Sequence, residues 1–415
     1  MKQKNFRLTK LSCFYANMSM SSVFSLPPLL FVTFRETYGI SYTLLGTLVL
    51  VNFCTQFSVD MIFTFFAKYF NIKATIRTMP LLTSTGLIVY ALSPVLFKGN
   101  EYTGFLIGTF IFSVAAGLAE VLISPMVAAI PSKTPDRDMS FFHSLYAWGV
   151  VGVTIISTIF FIMFGNKNWM YLTLALAILP IISSILFFVS PMPDISLGAK
   201  VKGNEVKKRK VGLLLCFACI FFGGAAENVM TNWISGFMEK AIEVPKAYGD
   251  VFGMALFALF LGFARTLYSK YGKNIFRVLL LGSAGAAVCY LVAGLSENAL
   301  IAFVACVLTG FTTGMLWPGT LILMEEKMPN PGVAAYALLA AGGDFGGSIA
   351  PQLMGFVADS VAQSSFAQSM SYKLNISTEQ IGLKSGMIIT SIFPILGVVV
   401  LLIINKHFSK TTKTE

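Results

Sequence analysis

Charge is scarce in this sequence and histidine nearly absent. Of 415 residues only 12% are Asp, Glu, Lys or Arg, and two are histidine, where a soluble domain carries about 25% charged residues. Hydrophobic residues make up 56%. A soluble protein cannot hide so much apolar surface behind so little polar surface, so lipid has to be the solvent for much of the chain. Also missing are a G-x-x-x-x-G-K-[ST] phosphate loop, an H-E-x-x-H metal motif and any stretch long enough for a soluble nucleotide-binding domain. No cofactor or metal is expected, and work done by the chain must draw on a gradient. The six cysteines, at 13, 54, 216, 219, 289 and 306, all fall in apolar runs. Cys216-Phe-Ala-Cys219 has redox spacing, but in an apolar helix it reads as two small hydrophobic residues. No disulfide framework follows.

What is present is a series of long apolar runs. A helix needs about 20 residues to cross about 30 Å of hydrocarbon. Twelve such runs fall near 11–35, 43–66, 78–97, 103–131, 141–165, 168–191, 211–238, 248–267, 276–296, 299–327, 335–360 and 385–405. They are continuously apolar rather than alternating, which argues against a transmembrane β-barrel. Lys2, Lys4, Arg7 and Lys10 precede the first run without a small-residue cleavage pattern, so an uncleaved signal-anchor is expected.

The net charge of +11 is distributed by side. The termini and every second loop hold 23 Lys/Arg, and the other side holds 7. That is the positive-inside pattern, so both termini are expected in the cytoplasm. The basic excess reports topology and contact with anionic lipid rather than nucleic acid. The Phe- and Lys-rich composition points to a bacterial inner membrane. Asn375-Ile-Ser377 is a glycosylation sequon, which matters only in a eukaryotic secretory pathway.

One long basic connection divides the runs six and six. The expected organisation is a first bundle at 1–191, a cytoplasmic linker at 192–210 and a second bundle at 211–415. Weak self-similarity crosses the linker: Phe34-Arg-Glu36 resembles Phe237-Met-Glu239, and Gly117 and Pro131 parallel Gly314 and Pro329, each pair close to 198 residues apart. Duplicated halves are common in transporters.

Taken together these features resemble the major facilitator superfamily. Its loop signature G-x-x-x-D-R-x-G-R-R is eroded at Ala67–Lys73 and better kept at Gly262-Phe-Ala-Arg265…Tyr271-Gly272-Lys273. Gly117-Leu-Ala-Glu120-Val-Leu-Ile-Ser124-Pro125 resembles the G-x-x-E-x-x-x-N-P of the fucose:proton symporter branch, which includes glucose/galactose transporters, with Ser124 in place of the Asn. Gly224-Ala-Ala-Glu227 and Ala340-Ala-Gly-Gly-Asp344 resemble the same branch. The resemblance implies an all-α integral membrane protein of twelve helices in two six-helix pseudo-symmetric bundles, in which the first, fourth, seventh and tenth helices line the cavity. It also implies a carrier rather than an enzyme, one that functions as a monomer.

Polar groups inside the runs are where chemistry is expected. An ionised carboxylate at membrane depth costs several kcal/mol, so it persists only with a partner, a water-filled cavity or a proton. Asp60, Glu120, Glu227 and Asp344 are the four such acids. Helix rise puts Glu120 roughly 25 and 16 Å from the ends of its run. Glu120, Glu227 and Asp344 are therefore expected to take part in proton coupling, and the expected partners are a small solute and H+ (or Na+). Candidate solute contacts are Asn17, Glu120, Tyr146, Trp148, Glu227, Asn228, Trp317 and Asp344, since sugars are held by hydrogen bonds and aromatic faces. Asn232 and Trp233 lie on the same helix as Asn228, with Trp233 nearer the outer mouth. Asp60 and Arg265 are expected at a cytoplasmic gate. His143 reads as an interfacial hydrogen-bonding residue. Pro125, Pro318 and Pro351 are expected to kink their helices.

The expected activity is transport of a small polar solute, a sugar, by alternating access coupled to H+. The competing reading is efflux of amphipathic or drug-like compounds. A membrane enzyme or receptor would need a catalytic cluster near the interface or a large extramembrane domain, and the stretch 361–384 is too short for one.

Overall fold

The computed structural model describes residues 6–40, 42–195, 204–242 and 253–409. Helix is the only regular structure among them. Ten helices of the described residues are long and apolar enough to cross a membrane. Two more, Arg7–Tyr38 and Ala255–Tyr271, complete twelve. The first of these carries Arg7, Lys10, Arg35 and Glu36, which dilute its apolar run, and the second has 17 residues. The spans between are Tyr42–Phe66, Ile72–Leu96, Glu101–Ala128 and Pro135–Phe164, then a sixth in two pieces, Trp169–Leu176 and Ile178–Val189. Asn204–Ala241 is the seventh and Ile275–Leu295 the ninth. The tenth is Ala299–Thr313 with Leu316–Lys327, the eleventh Val333–Ala362, and the twelfth Thr378–Thr390 with Ile392–Ser409.

The interiors of the spans match the apolar runs, while some ends differ. The seventh helix starts at Asn204, so the last residues of the basic 192–210 stretch are already helical. The twelfth starts at Thr378 rather than near 385. Ser377 explains that start. Its hydroxyl accepts from Gln380 N at 3.1 Å, and Gln380 Oε1 accepts from Ser377 N at 2.8 Å. This capping box satisfies two orphan backbone donors and lets a helix begin in polar sequence. The stretch before it is not all loop either: Ser365–Leu374 forms a short helix, capped by the Ser364 hydroxyl.

The chain forms two compact units, Met1–Ala199 with Asn330–Ala341, and Lys200–Pro329 with Gly342–Glu415. In the first, the third and fourth spans pack closely through small residues. A Cβ on Gly86 would lie 2.6 Å from Phe112 N, and one on Gly108 would lie 2.8 Å from Tyr90 Cβ. Close backbone approach is how helices associate where lipid supplies no hydrophobic drive. Beside this contact an aromatic core joins the first, third, fourth and sixth spans. Phe34 stacks on Phe105 with centroids 4.3 Å apart, and Trp169 meets Phe34 edge-on at 4.8 Å. Serines tie the first span to the sixth, through Ser12–Ser190 at 2.8 Å and Ser19–Ser183 at 3.1 Å. In the second unit the eleventh span lies against the seventh, where a Cβ on Gly224 would come within 2.6 Å of the Gly343 carbonyl.

Gly86 and Gly152 offer a matched test, since a Cβ on Gly152 meets nothing within 4 Å. Gly86→Val should destabilise by about 1–3 kcal/mol through overpacking and lower the temperature at which the purified protein loses its monodisperse chromatographic peak. Gly152→Val should leave that temperature unchanged. Equal midpoints for the two variants would contradict the close contact.

Candidate functional site

The second unit holds a buried ion pair. Glu227 lies in the seventh span and Arg265 in the eighth, and Arg265 Nη2 is 3.1 Å from both Glu227 Oε1 and Oε2. The Arg265 side chain is 4% exposed and that of Glu227 17%. Arg265 Nε also donates to the Gly314 carbonyl at 2.6 Å. The sequence explains why that carbonyl is available. In a continuous helix it would accept from residue 318, but that residue is Pro318, which has no N–H. The tenth span breaks between Thr313 and Leu316, Pro318 falls in the first turn of Leu316–Lys327, and Arg265 supplies the missing donor. The kink expected at Pro318 is therefore a break that an arginine fills. Tyr290 holds the neighbouring turn, its hydroxyl donating to the Ala226 carbonyl at 2.7 Å.

Three more expected residues gather around Gly343–Gly347 of the eleventh span. The Trp317 ring lies directly on Gly343. Asp344, the next residue, is 8% exposed. Asn228 packs on Gly347, and its amide donates to the Gly224 carbonyl at 3.0 Å. Trp233 is committed to structure, because its Nε1 donates to the Pro351 carbonyl at 2.9 Å and its ring covers Gly355. Asn232 lies one turn on from Asn228 and donates to the Asn228 carbonyl at 2.8 Å.

The other expected residues lie in the first unit. Asn17 is buried and its amide donates to the Phe142 carbonyl at 2.5 Å, which joins the first and fifth spans. Glu120 is partly buried in the fourth span. One turn on, Ser124 Oγ lies 3.5 Å from His143 Nε2 of the fifth span. Tyr146 is partly buried, and Trp148 is 37% exposed. Asp60 is fully buried, at 0% exposure.

The structure adds a polar seam between the second and fourth spans. Gln56 Nε2 donates to Asn52 Oδ1 at 3.1 Å, and Ser113 Oγ donates to the same oxygen at 2.6 Å. Asn52, Gln56 and Asp60 recur every fourth residue, which is one helix face. That spacing was visible in the sequence and is the signal that could have singled out Asn52 and Gln56. Arg265, expected at a cytoplasmic gate, has its side chain buried on Glu227. Among the described residues no three His, Cys, Asp or Glu side chains cluster as a metal site.

The profile of the Major Facilitator Superfamily matches residues 12–351. The chain belongs to that superfamily. It is a multi-pass integral membrane protein with the superfamily's twelve-helix fold. No protein of curated function matches its sequence. Among solved structures, the superfamily transporter FucP in the outward conformation is 11% identical, with a TM-score of 0.77 over 96% of this chain and 99% of that one. A variant of the E. coli fucose:proton symporter FucP has a TM-score of 0.74 at 11% identity, over 97% and 99%. The proton:xylose symporter XylE has a TM-score of 0.73 at 12% identity, over 95% and 94%. At these identities the likeness is one of fold.

Breaking a buried pair leaves an uncompensated charge, at a cost of about 3–5 kcal/mol, whereas apolar replacement of both partners is often neutral. Arg265→Met alone should therefore sharply lower the thermal midpoint of the purified protein, and Glu227→Leu with Arg265→Met should recover the part due to the unpaired carboxylate while the Gly314 carbonyl stays without its donor. A double variant as unstable as the sum of the singles would show that the two side chains do not interact.

Proposed function

We propose that this chain is a secondary active transporter that moves a small polar solute, a sugar, by alternating access coupled to H+. The observation that carries the proposal is the Glu227–Arg265 pair, an ionisable pair at membrane depth with one fixed and one releasable contact. A proton arriving on Glu227 neutralises the carboxylate and weakens its hold on Nη2, while Nε stays on Gly314. The pair thus has two arrangements that differ by one proton, which is the bistable element a coupled carrier needs. Asp344, Asn228 and Trp317 supply a carboxylate, an amide and an aromatic face around one stretch of the eleventh span, the kinds of group that bind sugar hydroxyls and C–H surfaces.

Glu120 is assigned the proton that couples transport. It lies on the fourth span, near mid-depth by residue count, and the motif around it resembles the fucose:proton symporter branch. The fold shared with FucP and XylE, named as a fucose:proton and a proton:xylose symporter, supports the same class of solute and ion. We assign both termini to the cytoplasm from the Lys/Arg asymmetry, the membrane to the bacterial inner membrane, and function to the monomer. The chain acts as a carrier and performs no covalent chemistry.

Transport into proteoliposomes under an imposed inward pH gradient, screened over hexoses, pentoses and deoxy sugars, tests this reading. At least one sugar should accumulate, and dissipating the gradient should abolish accumulation. Glu120→Gln should lower gradient-driven accumulation at least tenfold while sugar counterflow persists. Accumulation by Glu120→Gln at the wild-type level, with equal protein in the vesicles, would remove Glu120 from the mechanism. Expulsion of amphipathic dyes with no sugar uptake would replace import by export.

A further inference from the structure

Two serines fix how the third span meets the sixth. Ser184 Oγ donates to the Arg77 carbonyl at 2.6 Å, and Ser84 Oγ donates to the Ala177 carbonyl at 2.8 Å. Residue numbers rise along one span as they fall along the other, so the two run antiparallel. Arg77 lies early in Ile72–Leu96, about 7.5 Å along the helix from its start on the Lys/Arg-rich side. Its guanidinium sits against Phe188 of the sixth span, with Cζ 5.8 Å from the ring centroid. A cation and an aromatic face attract at that distance.

The guanidinium is otherwise uncompensated. Arg77 Nε is buried without a hydrogen-bond partner, and none of the ion pairs among the described residues includes Arg77. Asp194, just beyond the sixth span, pairs with Lys73 at 2.6 Å. A buried donor left unmatched costs about 1–3 kcal/mol, and more when it is charged. Such groups in native proteins are usually matched by something.

The surface beside this charge is apolar. Leu81 follows Arg77 by one turn and is 40% exposed, and Ile185 precedes Phe188 by one turn and is 58% exposed. In an antiparallel pair, one turn on from Arg77 and one turn back from Phe188 lead the same way, away from the Lys/Arg-rich end. The groove between the two spans therefore has a cation at its head and an apolar wall running inwards from it.

We infer that this groove binds one anionic phospholipid, with its phosphate on Arg77 and an acyl chain along Leu81 and Ile185. A guanidinium fork matches two phosphate oxygens at once. The Lys73–Asp194 pair is neutral as a whole, so the groove carries a single net positive charge. A headgroup of charge −1 complements it, whereas a zwitterionic headgroup would bring its own cation to the same place. The apolar wall favours a lipid over a free phosphate ion. This goes beyond the diffuse attraction of basic loops for anionic lipid, because one named residue holds one molecule.

Delipidated protein in a neutral detergent is titrated with phosphatidylglycerol, with phosphatidylcholine of the same chains, and with inorganic phosphate. Thermal unfolding and lipid retained in native mass spectrometry are the readouts. Wild type should gain stability saturably from phosphatidylglycerol and retain one molecule of it. Its affinity for phosphatidylcholine and for inorganic phosphate should be at least tenfold weaker. Arg77→Leu removes the unmatched charge, so without lipid it should be at least as stable as wild type, and it should lose the gain from phosphatidylglycerol. Lys98→Gln, at an exposed lysine beyond the other end of the third span, should respond as wild type does. If Arg77→Leu fails to fold, the same loss of gain in Arg77→Gln decides. A wild-type gain from phosphatidylglycerol in Arg77→Leu or Arg77→Gln would overturn the site. Equal wild-type responses to the three additives would overturn it too, leaving an adventitious ion only.

Discussion

Hydrocarbon offers no hydrogen bonds, and the described structure follows from that. A backbone carbonyl or side-chain charge released inside the bilayer must find a partner within the protein or stay unmatched at a cost of several kcal/mol. Pro318 releases the Gly314 carbonyl, and Arg265 fills it. Arg265 brings a buried positive charge, and Glu227 balances it. Each link is the physical consequence of the one before. A proline in the tenth span thereby fixes an arginine in the eighth and orients an acid in the seventh. The same constraint explains the serines that join the first and sixth spans and the Trp233 indole resting on the Pro351 carbonyl.

Close approach of backbones is the second expression of this constraint. With lipid as apolar as leucine, helices gain little by burying large side chains against each other, so contacts concentrate where side chains are smallest. Gly86 and Gly108 serve the third and fourth spans in this way. Gly224 and Gly343 do so for the seventh and eleventh, and the Trp317 ring occupies the space that a side chain at 343 would take. The glycines that let the helices meet also expose the eleventh span's backbone to Asn228 and Trp317. Packing and site are built from the same residues there.

Much of this was legible in the sequence because a membrane imposes a coarse rule: about twenty apolar residues make a span. The twelve runs and the superfamily therefore emerged without any side-chain detail. Ends were less legible, because caps act locally and in polar sequence. Ser377 and Gln380 start the twelfth helix ahead of its apolar run, and the seventh begins inside a basic stretch. Partners were hardest to foresee. The environment of Arg265 depends on Pro318, more than fifty residues away in sequence. Asn52 and Gln56 passed unnoticed because each is one polar residue in an apolar run. Their significance lies in a four-residue spacing and in Ser113 across the seam.

The two units treat buried acids by different physics. In the second, Glu227 has its countercharge built into the protein, so the pair is neutral as a whole. In the first, the spans carrying Asp60 and Glu120 hold no Lys or Arg. An arginine is always charged and cannot leave, so the compensation of Glu227 is permanent and is set by the packing of the eighth span against the tenth.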